Sequence, residues 1–171
     1  MIRGRVIKYG DDVDTDVIIP ARYLKHGSDP KVLSEHAMED LDPEFKEKVK
    51  ERNIIVAGKN FGYGSSREQA PLALKYAGVK VILAESFARI FFRNAINIGL
   101  PLMEVKGVSK IVDDGDVVEV HLEEGRVRIP SKGAELSGTK LPEFLMEILK
   151  AGGLVPYLRR RLHAENSDNS G

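Results

Sequence analysis

In the stretch "GKNFGYGSSREQAP", residues 58–71, three glycines lead into two serines, an arginine and a glutamate. A short apolar run, "NIIVAG" (53–58), precedes it, and apolar residues at helical spacing follow in "EQAPLALKYAG" (68–78). Gly62 and Gly64 permit positive φ angles and allow the backbone to approach a ligand closely. These features predict a buried strand, a glycine-rich binding loop and a helix.

Two hydroxyls and a guanidinium follow the glycines directly, at Ser65, Ser66 and Arg67. Ser65 and Glu68 fit a capping box, in which Ser65 would be only a helix N-cap, contributing about 1 kcal/mol. A lone cap requires neither the glycines nor Arg67, whose charge opposes the dipole of a helix beginning there. Amides, dipole and guanidinium together predict an anion site that suits a carboxylate. The glycine spacing fits neither a Walker A loop nor a dinucleotide fingerprint.

Further along the chain, two more strands and a second helix are expected, in "VKVILAES" (79–86), "LPLMEV" (100–105) and "FARIFFRNAINIG" (87–99). Residues 53–105 therefore predict an α/β core with parallel strands. We expect Ser86 to be the N-cap of the second helix.

The flanking segments predict further elements. An opening strand is expected at 3–10, and Asp29 with Pro30 is typical of a helix start. A hairpin at 113–129 should turn at Glu124-Gly125, and residues 140–162 should form an amphipathic helix interrupted by two glycines. The sequence thus predicts one domain over 1–160 and a polar, disordered tail over 161–171.

Composition excludes several classes of protein. Of 171 residues, 42% are hydrophobic and 30% charged, which is enough apolar material for a core. Twenty-six basic residues balance 26 acidic ones, so nothing predicts binding to nucleic acid or to a membrane surface. The absence of cysteine excludes disulfides, thiolate catalysis and an iron–sulfur cluster held by these residues. With neither a signal peptide nor a long apolar run, we expect a soluble cytoplasmic protein.

Three motifs in a fixed order carry a family resemblance: residues 58–71, "SFARIFFRNAINIGLP" (86–101) and "DDVDTDVIIPARYL" (11–24). From about Arg3 to Leu158, the chain resembles the small-subunit family of 3-isopropylmalate dehydratase, in the aconitase superfamily. The resemblance implies a swivelling β/β/α domain with a mixed or parallel central sheet and flanking helices. It also implies docking on a large subunit, as a heterodimer or a heterotetramer.

The chemistry implied by this resemblance is a dehydration followed by a rehydration, which interconverts 2- and 3-isopropylmalate in leucine biosynthesis. Ser65 would be the base that removes a substrate proton. Ser66 and Arg67 would bind a substrate carboxylate and help to hold Ser65 ionised, with Gly64 beside the substrate. The [4Fe–4S] cluster would lie on the large subunit, and this chain would hold no metal or cofactor. It would therefore be a hydro-lyase only together with that partner.

A second implied substrate-binding element is the loop "RYLKHGSDP" (22–30), with Tyr23 and Lys25 as its candidate contacts. Lys25 leaves the substrate open, because a lysine can pair with a carboxylate or extend away from an alkyl group. A Lys25 that pairs with a substrate carboxylate would suit homoaconitate. The chain would then be a homoaconitase small subunit in lysine or coenzyme B biosynthesis. A non-catalytic carboxylate-binding module is a further alternative, since it would use the same loop without a serine base.

Two remaining features have less specific interpretations. "DVDTD" (12–16) lacks the glycine and distal glutamate of an EF-hand, so we interpret it as a structural turn near the active site. In that turn, Asp14, Thr15 and Asp16 would form local hydrogen bonds. Arg89 and Arg93 lie one turn apart on one helix face, so both are candidates to reach the active site or the partner.

Overall fold

A computed structural model describes residues 1–169. Its strands are β1 (Ile2–Lys8), β2 (Ile54–Ala57), β3 (Val81–Ala84), β4 (Leu102–Glu104), β5 (Val117–His121), β6 (Arg126–Ile129) and β7 (Ala134–Ser137). Its α-helices are α1 (Thr15–Ile18), α2 (Pro30–His36), α3 (Phe45–Lys48), α4 (Gln69–Ala77), α5 (Arg89–Asn97), α6 (Val108–Ile111), α7 (Glu143–Ala151) and α8 (Leu154–Asn169). Two 3-10 helices span Ala21–His26 and Pro130–Lys132.

All seven strands belong to one mixed sheet in the order β4-β3-β2-β1-β5-β6-β7. Strands β1 to β4 pair in parallel, whereas β5 pairs with β1, β6 with β5 and β7 with β6 antiparallel. Strands β2 and β3 are buried along their whole length, as expected of parallel strands covered on both faces. Strand β6 instead alternates exposed and buried residues. The expected α/β fold with a mixed central sheet is confirmed.

The sheet separates two hydrophobic cores, because successive side chains of a strand point to opposite faces. Ile55 belongs to the core that includes residues of helices α2, α4, α5 and α7. Its neighbours Ile54 and Val56 belong to the other core, together with residues of β5, β6 and α6. Helix α5 is therefore packed on one face of the parallel strands, and its first turn lies next to the glycine-rich loop that follows β2.

Most of the predicted elements are present. The Asp29 carboxylate accepts a hydrogen bond from the Lys31 amide, and Pro30 occupies the first position of α2. The hairpin of β5 and β6 turns through residues 122–125. Gly152 and Gly153, with φ angles of 94° and 134°, separate α7 from α8. None of the helices within residues 1–169 is long and apolar enough to cross a lipid bilayer.

The predicted N-cap at Ser86 is wrong, and the capping-box alternative at Ser65, which the glycines and Arg67 disfavoured, does not occur either. Helix α4 begins at Gln69 after an N-cap at Glu68, so Ser65 is not its cap. The chain around Ser65 is instead held by the segment that contains α1, as described below. Ala88 is the N-cap of α5, and the Ser86 hydroxyl accepts a hydrogen bond from the Asn60 amide at 2.8 Å. Both serines stabilise contacts between distant segments.

The C-terminal segment also differs from the expectation of a disordered tail over 161–171. Residues 161–169 continue α8. Between Pro156 and the last residue of the chain the sequence has neither glycine nor proline, and most of the residue types there are compatible with a helix. Pro156 lies in the first turn of α8, where its missing amide hydrogen costs no helical hydrogen bond. Residues 170–171 lie outside the described part of the chain.

Candidate active site

A cleft of about 190 Å³ lies where the glycine-rich loop meets the first turns of α5. The loop contributes Gly62 and the residues from Gly64 to Arg67, and residues 88–91 form the opposite wall. Thr15 and Asn94 complete the lining. The structure therefore brings together Gly64, Ser65, Ser66 and Arg67, which were predicted as one site, and adds Arg89 from α5.

Hydrogen bonds on two sides clamp the entry to the loop. Phe61 pairs with the start of α5, donating its amide hydrogen to the Ser86 carbonyl and accepting from the Ala88 amide. On the other side, the Gly62 amide donates to the Val13 carbonyl at 2.7 Å. The loop is consequently held between the segment that follows β1 and the segment that follows β3.

Gly62 is required at its position for two physical reasons. Its φ angle is +84°, in the region that L-residues with side chains rarely adopt. A Cβ atom placed on Gly62 would lie 2.2 Å from Cγ of Phe91, a buried side chain of α5. The absence of a side chain thus allows the loop to rest directly on the helix that forms the other wall.

The two serines present free hydroxyls to the cleft. Both residues are exposed, and neither side chain has a hydrogen-bond partner within residues 1–169. The backbone of Ser65 is held nevertheless, because the buried Thr15 hydroxyl donates to its carbonyl oxygen at 2.8 Å. Thr15 also donates its amide hydrogen to the Tyr63 carbonyl at 2.9 Å. Ser65 therefore combines a positioned backbone with an accessible hydroxyl.

Arg67 precedes α4, whose N-cap is Glu68, rather than lying in the first turn of this helix. Its side chain is only 13% exposed and forms an ion pair with Asp16 at 3.0 Å. The same nitrogen, Nη1, donates to the Ile19 carbonyl at 3.3 Å. Within residues 1–169, Nη2 and Nε of Arg67 have no acceptor. One edge of the guanidinium is therefore anchored and the other is available.

The segment containing α1 has a larger role than the local turn that was predicted. Asp14 does bond locally, since its carboxylate accepts from the Val17 amide and caps α1. Thr15 and Asp16, however, reach across the structure to Ser65 and Arg67. These contacts connect α1 to the glycine-rich loop. No local pattern in the sequence indicates these two contacts.

Helix α5 contributes four cleft residues, Arg89, Ile90, Phe91 and Asn94, of which only Arg89 was a site candidate from the sequence. Arg89 is exposed and has no ion pair or hydrogen bond within the described chain. Ile90 lines the cleft although 54% of its surface is exposed, and Asn94 lies one turn further along. The spacing of four residues between Ile90 and Asn94, which places both on one helix face, was the available signal.

The loop with Lys25 lies apart from this cleft. Residues 21–26 form a 3-10 helix in which Lys25 is exposed, and among the described residues neither Lys25 nor Tyr23 lines the cleft. The Tyr23 ring stacks on His36 at 3.9 Å between centroids, and its hydroxyl bonds to Glu39. Substrate contacts by Tyr23 and Lys25 therefore stay predictions, and Tyr23 has a visible packing role.

Charged groups anchor this 3-10 helix. Burial raises the pKa of Glu39, but hydrogen bonds from Tyr23, His36 and Arg22 outweigh that effect and leave this pKa below its usual value. A hydrogen bond from Arg22 likewise lowers the pKa of Asp40. Both carboxylates are thus ionised at neutral pH, where Arg22 pairs with them at 2.8 and 2.7 Å.

Residues 1–169 contain no group of three histidine, aspartate or glutamate side chains placed to hold a metal ion. The 171-residue sequence also contains no cysteine, so its donor set does not fit a thiolate-held iron–sulfur cluster. The groups that the cleft offers are hydroxyls, an amide, backbone N–H groups and guanidinium groups. Such groups bind and orient anions, and a hydroxyl held among them can exchange a proton.

Comparison with known proteins identifies close relatives. Residues 15–106 match the family model of the aconitase C-terminal domain. The chain is 60% identical over 158 residues to the 3-isopropylmalate dehydratase small subunit of Halothermothrix orenii, covering 92% of this chain and 95% of the relative. It is 57% identical over 162 residues to the isopropylmalate/citramalate isomerase small subunit of Methanocaldococcus jannaschii, covering 95% and 96%. The crystal structure of 3-isopropylmalate dehydratase from M. jannaschii superposes with a TM-score of 0.91 at 47% identity, covering 98% of both chains.

Proposed function

Because this chain belongs to the small-subunit family of 3-isopropylmalate dehydratase, we propose that it acts with a large subunit to interconvert 2- and 3-isopropylmalate in leucine biosynthesis. The reaction class is that of a hydro-lyase. The single observation that carries the proposal is the exposed, unpartnered Ser65 hydroxyl at a cleft that also contains two guanidinium groups. The relatives named above are similar to this chain over nearly its whole length, which supports the same assignment.

The chemistry of isopropylmalate matches the groups around the cleft. This substrate has two carboxylates, a hydroxyl and an isopropyl group. The free edge of Arg67 suits one carboxylate, and the Ser66 hydroxyl can donate to the same group. Arg89 offers a second cation that has no intramolecular partner in the described chain. Ile90 and Phe91 provide apolar surface that suits the alkyl group.

Ser65 is assigned the proton transfer. Its Oγ takes the proton from the carbon adjacent to the one that loses hydroxide, and it returns a proton when water adds in the opposite orientation. A serine hydroxyl is a weak base in water, so its ionised form requires nearby donors and cations. Ser66 and Arg67 are the nearest such groups along the chain, and their effect grows where a docked partner excludes water.

The departure of hydroxide needs an electrophile that this chain does not supply. The family resemblance places a [4Fe–4S] cluster on the large subunit, where it would act as a Lewis acid toward the substrate hydroxyl. We therefore propose that the small subunit alone is inactive and that the reaction takes place between the two subunits. Their stoichiometry, heterodimer or heterotetramer, and a cytoplasmic location stay predictions from the sequence.

The substrate assignment is tested by reconstitution with a large subunit and turnover assays on 2-isopropylmalate, citramalate and homoaconitate. We expect the highest kcat/KM with 2-isopropylmalate. Citramalate is the second candidate, because one close relative is named an isopropylmalate/citramalate isomerase small subunit. A clear preference for homoaconitate would contradict the leucine assignment and support a homoaconitase small subunit with a role for Lys25. Carboxylate binding without any turnover would support a non-catalytic module.

Asp16 is expected to act through Arg67. In the variant Asp16→Asn the charge of the ion pair at 3.0 Å is lost and a weaker, neutral acceptor remains, so the guanidinium is less well oriented toward a substrate carboxylate. We expect kcat/KM to fall by roughly tenfold, mainly through KM, with little change in stability because Asp16 is 65% exposed. Steady-state kinetics of the reconstituted enzyme measure this effect.

The matched control is Asp12→Asn. Asp12 is an exposed residue of the same segment, and its Oδ1 accepts a hydrogen bond from the Asn60 side chain. An asparagine at this position can accept the same hydrogen bond. This control should leave both kinetic constants near the wild-type values. If kcat/KM fell equally in the two variants, the cause would be the loss of a negative charge from this segment and not the orientation of Arg67.

A further inference from the structure

Beside the cleft lies a second depression of about 250 Å³, which we call the α5 groove. Arg89 lines both depressions and forms the ridge between them. The other residues that line the groove are Phe87, Phe92, Arg93, Glu104, Thr139 and Leu141. Of the residues that line this groove, the catalytic role proposed above uses only Arg89.

The lining of the groove is apolar on its floor and cationic at its rim. The Phe92 ring packs edge-on against Phe87 at 5.9 Å between centroids, and Leu141 packs against the same core. The Glu104 carboxylate accepts a hydrogen bond from the Phe87 amide at 3.3 Å, so it helps to hold the chain just before α5. Arg93 is exposed beside them.

Arg89 and Arg93 differ from the arginines of this protein that are held by an acidic residue. Arg22, Arg52 and Arg126 each form an ion pair with an aspartate or glutamate. Within residues 1–169, neither Arg89 nor Arg93 has an ion pair or a hydrogen bond. Two unpaired guanidinium groups one helical turn apart are complementary to carboxylates supplied from outside the chain.

The α5 groove, with a volume of about 250 Å³, lies directly beside the cleft and shares Arg89 with it. It is suited to one anchoring side chain from a partner surface. Ile90, next to the ridge, is 54% exposed, so the apolar surface continues from the groove to the mouth of the cleft.

We propose that the α5 groove is a docking site for the large subunit, which places an apolar side chain against Phe92 and Leu141 and a carboxylate beside Arg93. The proposal rests on the proposed function, because a partner that closes the Ser65 cleft must also cover the ridge at Arg89. Docking there would bring the partner over the catalytic loop and exclude water from it.

The test is a titration of a fixed amount of large subunit with the small subunit, followed by turnover. In Arg93→Glu the introduced carboxylate repels the carboxylate of the partner, so we expect the apparent Kd to rise on the order of 10- to 100-fold. At saturating small subunit, kcat should return to the wild-type value. Leu141→Ala should also weaken binding, and circular dichroism checks that both variants fold.

The matched control is Arg159→Glu, the same charge reversal on α8 at an exposed arginine without an ion pair in the described chain. Its Kd should equal that of the wild type. Sedimentation measures Kd without turnover, so docking is tested even if the proposed reaction fails. Unchanged Kd values in Arg93→Glu and Leu141→Ala would overturn the proposal. The proposal would also be overturned if the variants changed only the self-association of the isolated chain. That result would assign the groove to a second copy of this chain.

Discussion

Replacing Ser65 with alanine is expected to lower kcat of the reconstituted enzyme by about 10³-fold or more, since general acid–base groups typically contribute 10²–10⁴-fold. The variant removes the hydroxyl that we propose as the base and leaves its surroundings in place. The loop should keep its conformation, because Thr15 holds Ser65 through its backbone carbonyl, which alanine retains. Steady-state turnover of 2-isopropylmalate gives kcat, and sedimentation shows that the variant still binds the large subunit.

Two further variants define what this result means. Ser131→Ala removes an exposed hydroxyl from the 3-10 helix after β6 and should leave kcat unchanged. Ser66→Ala should raise KM more than it lowers kcat, because Ser66 is assigned to binding a carboxylate. Turnover in Ser65→Ala within a few-fold of wild type would remove Ser65 from the role of base.

The variant Gly62→Ala is expected to cause the largest loss of stability. Its Cβ atom would lie 2.2 Å from the buried Phe91 ring, and its φ angle of +84° is unfavourable for alanine. Left-handed backbone strain and overpacking together predict a free energy of unfolding lower by about 2–5 kcal/mol. Urea unfolding measures this change. Because the loop must move away from α5 to relieve the contact, turnover should fall as well.

Gly10→Ala is the matched control for this substitution. A Cβ atom on Gly10 meets nothing within 4 Å, and its φ angle is not positive. Its free energy of unfolding should stay within about 0.5 kcal/mol of wild type. If Gly62→Ala were as stable and as active as this control, the close packing of loop and helix would not be what positions Ser65.

Local patterns in the sequence were sufficient for much of the fold. The buried strand at 54–57, the positive φ angles at Gly62 and Gly64, and the cap of α2 at Asp29 each depend on neighbouring residues. Grouping Ser65, Ser66 and Arg67 needed no tertiary information either, because they are adjacent in the chain. Such features are predictable because their physical causes lie within a few residues.

The remaining features depend on contacts between distant segments. Asp16 and Arg67 are separated by 51 positions, and no periodicity relates them. Ser65 fits a capping box, but Thr15 holds its carbonyl and α4 begins only at Gln69, so tertiary contacts override the local preference. Tyr23 was grouped with the substrate by family resemblance, whereas the structure packs it on His36. A sequence alone does not rank these competing partners.

We propose that the Ser65 hydroxyl removes a proton from a hydroxy acid bound between the two subunits. The most direct measurement is a structure of the reconstituted complex with a substrate analogue bound. We expect Ser65 Oγ within about 3–3.5 Å of the carbon that loses the proton, a near-attack distance, with a carboxylate on the free edge of Arg67. A Ser65 side chain directed into the protein interior, with no space for a carboxylate beside Arg67, would contradict the claim.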